Sequence, residues 1–64
     1  LLLTFSQGNR HFKEGQYEEA IEKYTQGLMN DPNNAILSAN RAMALIKQEK
    51  YRLKNSFLLH KLQN

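Results

Sequence analysis

Few side chains here have the types and spacing that could do chemistry. His11 and His60 are of the kind that bind metals or carry protons. No carboxylate–histidine–nucleophile spacing accompanies either, and a packed or hydrogen-bonded His11 between helices is the plainer reading. Ser6, Ser38 and Ser56 lack a nucleophile elbow or a neighbouring base. The asparagine-containing turns lack the glycines and the Gly-Lys-Ser/Thr ending of a phosphate loop. With no cysteine in 64 residues, thiol chemistry, disulfides and the usual zinc ligands are removed. The reading is a protein that is no enzyme and takes no metal and no cofactor.

The cations are the other candidates. Residues 1–34 hold three Lys/Arg against five Asp/Glu, and residues 35–64 hold six against one. A basic second half favours acidic partners, either carboxylate-rich peptides or nucleic acid. Aromatic residues do not interleave with its lysines, so nucleic acid is the weaker alternative. A solvated lysine-rich helix face accounts for the same residues. The longest apolar runs are Leu1 to Leu3, Ala42 to Ile46 and Phe57 to Leu59. All fall far short of the roughly 20 residues a membrane span needs. The leucine run at the start lacks the basic flank and cleavage signal of a secretory leader. A cytoplasmic or nuclear location, with no membrane partner, is the expectation.

The elements that must position these residues repeat. At an offset of 34 residues Leu3 falls on Leu37, Lys13 on Lys47, Tyr17 on Tyr51, Leu28 on Leu62 and Asn30 on Asn64. Such a period marks a helix–turn–helix unit that cannot bury its apolar face alone. The pattern predicts four helices, at about Leu2–Glu14, Tyr17–Asn30, Ala35–Gln48 and Tyr51–Gln63. Gly15 ends the first, since glycine suits a positive φ. Ala20, Ile21, Tyr24 and Leu28 form one face of the second. Asp31-Pro32-Asn33-Asn34 stops it. Short loops imply antiparallel neighbours. The class is all-α: antiparallel hairpins in one domain, residues 1–64, with unit one over 1–34 and a divergent, partial unit two over 35–64. Gly8, Ala20, Gly27, Ala42 and Ala44 are small enough to let helix backbones approach closely.

Gly8, Gly15, Tyr17, Ala20, Tyr24 and Pro32 stand at the spacing of one complete tetratricopeptide (TPR) unit, and the chain resembles that family. Asn40-Arg41-Ala42-Met43-Ala44 is similar to the start of the next unit in one subgroup, the carboxylate-clamp TPR domains of Hsp70/Hsp90 co-chaperones. The likeness leans toward co-chaperones that bridge Hsp90 to an assembly machinery. The resemblance implies a concave groove for the acidic C-terminal tail of Hsp90 or Hsp70. It implies that Asn9 and Asn40 donate to the terminal carboxylate, and that Phe12, Lys13, Met43, Ile46 and Lys47 line the groove. Asparagine offers two N–H donors to an acceptor-only group without adding charge. Phe5 stands where the subgroup has a clamp lysine, and the last clamp lysine and arginine belong to a third unit that this chain does not contain. Lys54 occupies a position that should be small, and Asn55-Ser56 replaces further packing residues.

Two functions from different classes follow. One is a protein–protein interaction module, binding a chaperone tail through half a clamp. The other is a structural unit whose apolar edges associate with further copies, the asparagines being surface residues and the clamp disabled. Leu1 to Leu3 and Leu59 are hard for two hairpins to cover, and terminal repeats normally show a polar outer face. A piece of a longer array or a self-associating homo-oligomer is the expectation from that.

Overall fold

The turn at residues 14–16 shows how the chain reverses. The computed structural model describes residues 2–63, less the side chains of Leu2, Leu59, His60, Leu62 and Gln63. The expectations placed on Leu1, Leu2, Leu59, His60, Leu62 and Asn64 therefore lie outside the described residues. Helix α1, Leu2–Lys13, ends in a closed cap. The Gly15 amide donates to the Phe12 carbonyl at 3.1 Å and the Gln16 amide to the His11 carbonyl at 2.8 Å. Gly15 sits at φ 77°, the left-handed conformation this cap requires.

Helix α2, Tyr17–Asn30, places Glu18 and Glu19 in its first turn, where the helix dipole favours negative charge. It stops at Asp31, whose amide bonds the Gly27 carbonyl. Asn34 then caps the third helix. Its Oδ1 accepts from the Leu37 amide at 3.0 Å, and its Nδ2 donates to Asp31 Oδ2 at 3.1 Å.

The third helix, α3, runs without a break over Ala35–Gln63, 29 residues. This corrects the expected pair of helices over 35–48 and 51–63. The 34-residue offset supplies the physical reason. Glu49 stands at the repeat position of Gly15, and a side chain there resists the left-handed turn. Lys54 and Lys61 stand where small Ala20 and Gly27 are buried in α2, so the distal half of α3 cannot make the close backbone approach that α2 makes by that face. Helix formers fill the junction, and propagation continues. The all-α class and the antiparallel hairpins are as expected. Among the described residues no helix is long and apolar enough to cross a membrane.

Helix α2 lies in the middle, packed against α1 on one side and the near half of α3 on the other. The core is small: Ala20, Tyr24, Leu28, Leu37 and Ala44, with Phe5, Phe12 and Ile21 packed against it. Gly8 lies under the Tyr24 ring, and Gly27 lies where Leu37 of α3 and Thr4 of α1 converge on α2. Phe12 and Tyr17 meet edge-on at 5.5 Å, closing the hairpin's end. The distal half of α3 projects beyond this bundle, and the molecule is 48 Å along its longest axis.

Candidate functional site

Asn9 on α1 and Asn40 on α3 are 31 positions apart in the chain, yet α2 carries their helices side by side. Asn9, Phe12, Tyr24, Asn40 and Met43 together line one small concavity of about 80 Å³. Four of the seven residues expected in a groove are thus brought together. Lys13, Ile46 and Lys47 are exposed and do not line this concavity.

Tyr24 is the site residue that the sequence reading missed. The helical spacing predicts a packing role alone for it, and its ring is indeed almost inaccessible. Its hydroxyl donates to Asn9 Oδ1 at 2.5 Å. The cue was available, because a tyrosine on a buried helix face must find a partner for its O–H. The bond fixes which way the amide points: Oδ1 is held by the tyrosine, and the Nδ2 donors are left for a ligand. Neither amide nitrogen, of Asn9 or Asn40, has a protein partner among the described residues. Burial pushes the Tyr24 phenol above its ordinary range, so it stays a neutral donor.

The site sets two amides and a phenol among apolar surface and is uncharged, since no cation among the described residues lines it. Phe5, at the position where the resemblance implies a lysine, packs against the core instead. Arg41, next to Asn40, turns toward α2 and donates to Thr25 Oγ1 at 3.4 Å. The arrangement can offer amide N–H groups to an acceptor, beside the apolar surfaces of Phe12 and Met43. His11 bonds Gln16 Oε1 through Nδ1 at 2.6 Å, in keeping with the hydrogen-bonded reading. Among the described residues no group of His, Asp and Glu could hold a metal ion.

Comparison with known proteins agrees with this architecture. The chain is similar to RNA polymerase II-associated protein 3: 60% identical to the Homo sapiens protein and 51% to that of Xenopus tropicalis, each over 55 residues. Those matches cover 86% of this chain but only 8% of each relative. Small glutamine-rich tetratricopeptide repeat-containing protein beta of Rattus norvegicus is 47% identical over 45 residues, covering 70% of this chain and 15% of that protein. No solved structure matches significantly. The model of the TPR repeat matches residues 8–49, a span that holds Gly8, the hairpin and both asparagines of the concavity. Sequence, helix order and packing therefore agree, and this chain belongs to the TPR repeat family.

Proposed function

We propose that this chain is a protein–protein interaction module that takes the acidic C-terminal tail of an Hsp90- or Hsp70-type chaperone, in the manner of a co-chaperone adaptor. The observation that carries the reading is the convergence of Asn9 and Asn40 on one concavity, beside Phe12 and Met43. A peptide's terminal carboxylate would accept from the two amides. The side chain preceding it would lie on Phe12 and Met43, and Lys13, Ile46 and Lys47 would meet residues further along. The module performs no chemistry.

Two amides without a cation make a weak clamp, because hydrogen bonds to charged groups contribute about 1.5–3 kcal/mol each and Phe5 stands where the clamp lysine would. Binding by this chain alone is accordingly expected to be weak. The test is a titration with a short acidic peptide bearing a free C-terminus, followed by chemical shifts at Asn9 and Asn40. Asn40→Ala should abolish binding and leave helicity unchanged. Equal affinity for the same peptide with an amidated end sinks the proposal.

A further inference from the structure

Helix α3 carries a second apolar stripe that the concavity does not use. Leu37 and Ala44 are buried on the side facing α2. Ala42, Ile46, Leu53 and Phe57 follow at intervals of four, seven and four, which on a helix of 3.6 residues per turn keeps them within about 60° of one another. That stripe lies roughly half a turn away from the buried side. Ala42 is exposed, and Ile46, Leu53 and Phe57 are 56%, 61% and 64% exposed. The stripe crosses from the near to the distal half, and only an unbroken α3 makes it continuous.

We propose that a second copy of this chain covers the stripe, through antiparallel pairing of the two α3 helices about a two-fold axis between Glu49 and Lys50. Such an axis sets small Ala42 opposite large Phe57 and Ile46 opposite Leu53, each pair formed twice. It also brings Glu49 beside Lys50 of the other copy. A closed two-fold contact needs this kind of self-complementarity. Charge selects the direction. Lys50, Arg52, Lys54 and Lys61 crowd the distal half, whereas residues 35–49, before the axis, carry Arg41 and Lys47 against Glu49. Antiparallel pairing lays each basic half beside a nearly neutral one, while parallel pairing would set the two basic halves together. This face leaves Asn9, Asn40 and the concavity they line uncovered, and shares Ile46 alone with the peptide path proposed above.

The absence of cysteine permits a clean test. Chains carrying Ala42→Cys are mixed with chains carrying Phe57→Cys under mild oxidation, and the expected product is the mixed cross-linked dimer. Ala42→Cys alone should not cross-link, because its two copies would stand about 22 Å apart along the axis at 1.5 Å per residue. Sedimentation equilibrium of the unmodified chain should show a monomer–dimer exchange. Leu53→Glu should weaken it at least roughly tenfold by burying an unpaired charge, with circular dichroism unchanged. Cross-linking of Ala42→Cys with itself would overturn the antiparallel register. A monomer at every concentration would overturn the proposal and leave the stripe to a different protein.

Discussion

Replacing Gly8 with alanine tests the packing on which the site depends. A Cβ built on Gly8 would lie 2.5 Å from Tyr24 Cε1, 2.7 Å from Cδ1 and 3.0 Å from Cζ. Carbon atoms pack comfortably at about 3.5–4.0 Å, so the ring must move by about an ångström. It has little room to do so: Tyr24 is 1% exposed, and its hydroxyl is tied to Asn9. Overpacking costs roughly 1–3 kcal/mol, and a ring held this firmly places it in the upper part, about 2–3 kcal/mol. Alanine's better helix propensity returns up to about 1 kcal/mol. The net expectation is a loss of roughly 1–2 kcal/mol, or a drop of about 5–15 °C in Tm for a domain this small. Thermal unfolding followed by far-ultraviolet circular dichroism measures it. In a Tyr24→Leu background the same change should cost less, since the ring it collides with is gone. A Gly8→Ala chain as stable as the parent, or strict additivity with Tyr24→Leu, would refute the reasoning.

Tyr24→Phe should lose about 1 kcal/mol with the hydroxyl bond and weaken peptide binding by releasing the Asn9 amide. It should also change alkaline unfolding. A phenol whose folded pKa is raised contributes stability that is present below the ordinary value near 10 and is lost as pH rises beyond it, because the unfolded chain sheds the proton first. Denaturation against pH should therefore show a smaller alkaline loss in the variant. Ala20→Leu should destabilise by roughly 1–3 kcal/mol, since Ala20 is wholly inaccessible between the helices; urea midpoints report it. Asn34→Ala removes the cap of α3 and should cost about 1 kcal/mol in the same assay.

The first unit was legible in the sequence because each of its signals is local. Gly15 is the residue its φ of 77° demands, Asn34 is a good cap, and Ala20, Tyr24 and Leu28 share a face at helical spacing. The second unit misled for an equally local reason. Tyr51 continues the repeat and suggested a new helix, but residue identity at Glu49 decides whether the chain can turn. The candidate site was legible only through resemblance. Asn9 and Asn40 belong to separate helices, and no spacing between them says that they face one cavity.

By itself the sequence determined the two helices of the first hairpin, their antiparallel order, and the small residues where backbones approach. These follow from propensity, periodicity and caps, which act over a few neighbouring residues. The tertiary structure alone decided three further matters. It joined the last two expected helices into α3, because neither Glu49 nor the buried-face substitutes Lys54 and Lys61 allow a return. It set Asn9, Asn40, Phe12 and Met43 around one concavity, because α2 holds α1 and α3 on its two sides. It turned Tyr24 from a packing residue into the group that orients Asn9, because a buried hydroxyl has to find an acceptor and the nearest one lies across the helix interface.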